Sequence, residues 1–119
     1  MTKIIELKSF SDSRGSLTVI EKILPFSIKR VYYIYNLNQS KRGFHKHKKT
    51  QQALICISGS CSIFIDNKST VKEFILDFPN KCLILEPSDF HWMDNFSKNC
   101  VLLVLASEEF DKNDYIYEN

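Results

Sequence analysis

An all-β domain, closed as a barrel or a double sheet, is the fold class this sequence predicts, and three observations predict it. Short polar turns (SDSRGS, LNQSKRG, SGS, IDNKS, DFPNK, EPSD and NFSKN) punctuate the chain at intervals of roughly 8 to 15 residues, the rhythm of a sandwich or barrel. The segments between them have strand length and favour β-branched and aromatic residues. Eight or more such strands need closure, because an open sheet leaves unpaired edges.

The elements follow in order. LTVIEK comes after the first turn, then SIKRVYYIYN with its cluster of tyrosines. QALICIS and CSIFID, joined through SGS, read as a hairpin, and TVKEFILD and KCLILE flank the DFPNK turn. HWMDN is short, and CVLLVLAS is the last apolar run. In the tail, SEEFDKNDYIYEN, Ser107 can cap a short C-terminal helical segment whose positive end suits Glu108 and Glu109.

At 119 residues the chain is expected to form one domain over 1–119, large enough to bury a real core. Lysine and arginine exceed aspartate and glutamate by only 2, 16 against 14, which argues against a nucleic-acid-binding stripe. The local run of Lys46, Lys48 and Lys49 around His47 reads as a solvated face. MTKIIELKSF lacks the uninterrupted apolar stretch of a signal peptide, and no segment reaches membrane-spanning length. A cytoplasmic protein without membrane contact is expected. Cys56, Cys61, Cys82 and Cys100 lie in apolar runs without C-x-x-C spacing, and are expected as reduced core thiols, with zinc as the alternative. Cys56 and Cys61 can face each other across the hairpin.

The richest stretch is KRGFHKHKKTQQALICISGS, from Lys41 to Ser60. In an extended chain residues two apart share a face, so His45 and His47 project together while Phe44 and Lys46 point away. Such a pair can ligate a metal, move protons or sit in a solvated loop. Likewise RVYYIYN places Tyr33 and Tyr35 on one face and Tyr32 on the other. Either face can reach a pocket, where a phenol can hydrogen-bond a sugar or stack on a base, and Tyr33 is the choice here. His91, in FHWM, is a lone histidine in an apolar setting, more often structural than functional on sequence alone.

The stretch resembles the first cupin motif, in which glycine, His-x-His, a glutamate and a later glycine recur around a small double-sheet β-barrel. Gln52 stands at the glutamate position. KCLILEPSDFHWMDN resembles the second motif and keeps Pro87, His91 and Asn95, with Lys81 and Asp89 at its glycine positions. The resemblance implies a cupin-type jelly roll. Without the glutamate the donors are neutral imidazoles and an amide, a poor set for a divalent ion, so neither a metal nor another cofactor is expected.

Read together, DSRGSL, IKRVYYIYN, RGFHKHKK, ISGSC and VLLVLASEEFDKNDYI make the chain similar to the sugar-nucleotide 3,4-ketoisomerases, cupins acting on dTDP-4-keto-6-deoxyglucose. The resemblance implies an isomerase that carries the keto group from C4 to C3 through an enediolate, giving the galacto-configured 3-keto sugar for later amination in deoxyamino-sugar, O-antigen and lipopolysaccharide biosynthesis. It assigns His45 and His47 to the catalytic pair, with His45 as the base, and adds His91. Variation at the positions of Arg14 and His91 is expected to accompany the choice of product configuration. The chain has three arginines, Arg14, Arg30 and Arg42, all within these strings. The planar guanidinium suits a bidentate grip on pyrophosphate, so Arg14 and Arg42, then Arg30, are expected to contact substrate. A homodimer formed by strand exchange is expected. The competing readings are a metal-dependent cupin oxidoreductase using His45, His47 and His91, a sugar-nucleotide binding module without turnover, and a 3,5-epimerase on the same substrate.

Overall fold

The structure is a computed structural model that describes residues 2–119. Along the chain run β1 (Lys3–Glu6), β2 (Lys8–Asp12), β3 (Gly15–Val19), β4 (Arg30–Ile34), β5 (Arg42–His47) and β6 (Gln52–Ser58). They are followed by β7 (Cys61–Asp66), β8 (Val71–Leu76), β9 (Lys81–Leu85), β10 (Phe90–Asp94), β11 (Val101–Ala106) and β12 (Tyr115–Ile116). The strands form two five-stranded sheets, ordered β1-β9-β6-β11-β4 and β12-β5-β10-β7-β8, and a separate β2-β3 hairpin. All the pairings are antiparallel.

The two sheets face each other across one apolar core that includes Leu54, Ile63, Leu76, Leu83, Leu85, Leu102 and Val104. β6 and β9 are buried on both faces, which explains why QALIC and KCLIL are nearly continuous apolar runs instead of alternating ones. Their outward residues, Ala53, Ile55, Cys82 and Ile84, join a second cluster with Leu7 and Leu105, against which Ile20, Leu24 and Phe26 pack. The segment after β3 therefore seals the outer face of the first sheet. All four cysteines are free and buried.

Two features depart from the sequence expectation. The helical segment expected at Ser107 does not form. Ser107 stays in register with the β6 end of the sheet, its hydroxyl accepting from the Gln51 N–H at 2.8 Å and its own N–H donating to the Gln51 carbonyl at 3.0 Å. With its hydroxyl and its backbone N–H both directed at Gln51, Ser107 caps no helix, and the helical part of the described tail is a 3-10 turn, Lys112–Asp114, capped by Asp111. The strands β1 and β2 begin before the first recognisable turn, SDSRGS, into which β2 extends, and turn spacing alone does not mark them.

Candidate active site

Three neighbouring strands of the second sheet build the site. In the β5–β10 register His45 stands directly opposite His91, and in the β5–β12 register His47 stands opposite Tyr115. Between His91 and Trp92 the register shifts, and there the chain uses Gly43 at φ +100, with a notional Cβ only 3.1 Å from the His91 carbonyl oxygen. A side chain at Gly43 would meet backbone, so this glycine lets β5 lie close enough to β10 for the two histidines to meet. Phe44 turns outward and stacks on Trp92, ring centroids 5.3 Å apart, which orients His45 inward as the i, i+2 pattern requires.

His45 is the hub of the ring cluster. Its centroid lies 4.9 Å from His91, 5.1 Å from His47 and 4.9 Å from Tyr115. It also lines a cavity of about 480 Å³, of the size that small-molecule sites occupy. Arg30, Arg42, Tyr32 and Tyr115 share that wall. The Arg30 guanidinium sits over the Tyr32 ring at 4.3 Å and donates to the Tyr115 hydroxyl at 3.5 Å.

Behind the wall, His47 is buried and its Nδ1 lies 2.9 Å from the Asp114 carboxylate. That carboxylate also accepts from the amides of Lys48 and Lys49, at 3.1 and 2.8 Å, and from the Thr50 hydroxyl. Burial works to raise the Asp114 pKa, but hydrogen bonds from Thr50, the Lys49 amide and His47 outweigh it and hold the carboxyl below its ordinary value. His91 is anchored through Nδ1 to the Asp89 carbonyl at 3.0 Å. The Nε2 atoms of His47 and His91 and the Gln52 Oε1 are buried without a protein partner.

The electrostatics favour neutral rings. Burial, reinforced by His47, lowers His45 to about 4, and burial lowers His91 to about 3. Burial also lowers His47, opposed by its bond to Asp114. Neutral imidazoles can accept protons at pH 7, and a ring backed by a carboxylate is the one best able to hold a positive charge. As a metal set the cluster is poor: it offers imidazoles and an amide whose Nε2 already donates to the Tyr32 hydroxyl at 3.0 Å, with no anion among these groups.

The structure thus gathers His45, His47 and His91, and places Arg30 and Arg42 beside them. Tyr33 and Tyr35 lie at the cavity mouth, 62% and 58% exposed, while Tyr32 points inward to Gln52. Arg14 stands apart. It sits at the β2-β3 turn with its side chain 88% exposed and paired to Asp12 at 2.6 Å, beside a separate concavity formed by Phe10, Leu17 and their neighbours. Sequence reasoning missed Asp114 and Tyr115, which come from the tail. Both belong to VLLVLASEEFDKNDYI, a string that carries the family resemblance, but only the pairing of β12 with β5 brings them to the histidines.

The family model described as FdtA: WxcM-like, C-terminal matches residues 1–119. A TDP-4-oxo-6-deoxy-alpha-D-glucose-3,4-oxoisomerase from Aneurinibacillus thermoaerophilus is 48% identical, over 98% of this chain and 88% of its own. Among solved structures, a 3,4-ketoisomerase from Helicobacter canadensis matches with a TM-score of 0.94 at 41% identity, covering 98% of this chain and 90% of the other. QdtA, a sugar 3,4-ketoisomerase from Thermoanaerobacterium thermosaccharolyticum in complex with TDP, matches with a TM-score of 0.95 at 43% identity, covering 98% and 88%. Matched from end to end by the family model and at nearly half its positions by a relative, this chain belongs to the FdtA, WxcM-like family.

Proposed function

We propose that this protein, acting as one domain, is a sugar-nucleotide 3,4-ketoisomerase that moves the keto group of dTDP-4-keto-6-deoxy-D-glucose from C4 to C3. The observation that carries this reading is His45, a neutral imidazole in the cavity wall with His47 and His91 around it. The reaction removes the C3 proton, holds charge on an enediolate and returns a proton at C4, work that a positioned imidazole does in both directions. His45 takes the C3 proton. His47, held by Asp114, stabilises the charge that arrives and fixes the ring beside it. The Tyr115 hydroxyl, polarised by Arg30, suits the enediolate oxygens, and Arg42 suits the pyrophosphate.

The stereochemistry follows from which face is served. In the gluco-configured ring the C3 hydrogen is axial on the α face, and a galacto-configured product carries its C4 hydrogen on that same face. One imidazole removing and returning protons from one side therefore yields the galacto-configured 3-keto sugar. A ketone at C3 is the group an amination step needs, which suits deoxyamino-sugar and surface-glycan synthesis. The cytoplasm, where such nucleotide sugars are made, is the proposed location; among the described residues no helix is long and apolar enough to cross a membrane.

The enzyme acts as a homodimer in this reading. The β2-β3 hairpin pairs with neither large sheet, exposes Phe10 and Leu17, and carries an arginine that its own histidines do not meet. The hairpin of one protomer lying on a second copy covers those side chains and brings Arg14 toward the other cavity. Mixing Arg14→Ala with His45→Asn protein tests this: recovered activity supports the exchange, and a monomer by light scattering rejects it.

Incubation with dTDP-4-keto-6-deoxyglucose in deuterated water, followed by NMR, tests the activity. A 3-keto product with an equatorial C4 hydrogen is expected. A product that keeps its C4 ketone but changes configuration at C3 and C5 would make the protein an epimerase, and unchanged substrate would leave a binding module.

A further inference from the structure

At the end of the barrel away from the histidines, three thiols converge. Cys56 lies two residues before the end of β6, Cys61 opens β7 and Cys100 precedes β11; all are buried, and their sulfur atoms lie within 4.8 Å of one another. Cys56 is four residues along β6 from Gln52, so at ~3.3 Å per residue the cluster lies about 13 Å from the histidine level. The active site makes no use of it.

The separations distinguish the chemistry. Cys56 and Cys100 sulfurs are 3.6 Å apart, far beyond the ~2.05 Å of a disulfide. Three thiolates bound tetrahedrally at ~2.3 Å from one zinc ion stand about 3.8 Å apart, close to the 3.6 Å between Cys56 and Cys100 and inside the 4.8 Å that bounds the trio. The three segments are tied independently of the sulfurs. The Ser97 N–H donates to the Ser60 carbonyl at 2.9 Å, the Ser60 N–H donates to the Ser97 hydroxyl at 2.9 Å, and Gly59 turns at φ +72 against Ser97 and Cys100. The cluster is thus preformed. Burial of a thiolate trio without a cation is costly, so a soft cation is the natural complement of the deprotonated cluster.

We propose that Cys56, Cys61 and Cys100 form a three-sulfur site for a soft divalent metal ion of the zinc class, fastening β6, β7 and β11 at the barrel floor. Binding exchanges sulfur–hydrogen bonds for sulfur–metal bonds and releases the protons to solvent; no electrons move. Water takes the fourth position. Since metal held by the native state alone stabilises it, the site acts on stability and leaves the chemistry at His45 untouched.

The test uses reduced, metal-free full-length protein titrated with Cd(II) or Zn(II) at pH 8. One equivalent should bind with a sulfur-to-cadmium charge-transfer band and release roughly two to three protons, because thiols give up protons on ligation and neutral imidazoles do not. X-ray absorption of the Zn(II) form should show three sulfur neighbours at ~2.3 Å. Cys61→Ser should weaken binding at least tenfold, while His45→Asn should leave it unchanged. Absence of uptake, nitrogen-dominated coordination or proton release near zero overturns the proposal. The proton count and absorption spectrum are read on the wild-type chain, so they decide even if Cys61→Ser fails to fold.

Discussion

His47 and Asp114 form a buried pair, with Nδ1 2.9 Å from Oδ2 and both side chains 3% exposed. The carboxylate sets the Nδ1–H tautomer, leaves Nε2 free of a proton and favours the imidazolium once one arrives. Asp114→Asn keeps the shape and removes the charge. In this variant kcat should fall by roughly 10² or more, while KM for the dTDP-sugar changes little because Asp114 lies behind the cavity. Steady-state kinetics check the split, and a purely structural role would instead lower the folded fraction without altering kcat per folded molecule.

His45→Asn retains a polar side chain but cannot exchange a proton near neutrality. Turnover should fall by roughly two to four orders of magnitude with dTDP binding preserved. Near-normal turnover would transfer the base to His47, whose own asparagine variant should otherwise be less impaired.

With His45 at about 4, kcat/KM should be level from pH 8 to about 5 and fall only toward pH 4. A midpoint near 6.5 would show a base that is not desolvated. Stability moves in the same direction. The unfolded chain binds protons at His45 and His91 below about 6.5, whereas the folded chain resists them down to about 4 and about 3. Their contribution is therefore complete above about pH 6.5 and is lost as pH falls through that window, at up to roughly 1.4 kcal/mol per pH unit for the fully buried His91 and less for the partly exposed His45, whose charge solvent screens. Denaturant midpoints at pH 7, 6 and 5 measure it.

Arg42→Lys keeps the charge at the cavity but loses the planar fork. Calorimetry with dTDP should show weaker binding by roughly tenfold, the scale of one charge-assisted hydrogen bond. Unchanged affinity would remove Arg42 from the phosphate site.

Gly43→Ala forces a side chain onto a φ of +100 and within 3.1 Å of the His91 oxygen and the Trp92 Cα. A stability loss of roughly 1–3 kcal/mol is expected. Because the same contact sets β5 against β10, activity per folded molecule should fall as well, read by kinetics beside a thermal melt.

The all-β class and most of the strands were legible in the residues themselves, because strand length, β-branching and turn chemistry are local properties. The His45–His47 face was legible too, since period-two alternation needs no knowledge of what lies across the sheet. His91 was recognisable only through motif resemblance; its contact with His45 depends on a strand register that no local pattern encodes. Asp114 and Tyr115 lie more than sixty residues beyond His47, in a tail whose composition suggested a helix. They became site residues because Ser107 spent its hydrogen bonds on Gln51 and the chain then paired with β5. Cys56 and Cys61 were legible as hairpin neighbours, but Cys100 joins them only where β11 pairs with β6. In each case the residue type is a property of the sequence, while the partner is a property of strand register and sheet closure. Those are settled by burying apolar surface across the whole domain, and only the tertiary structure decides them.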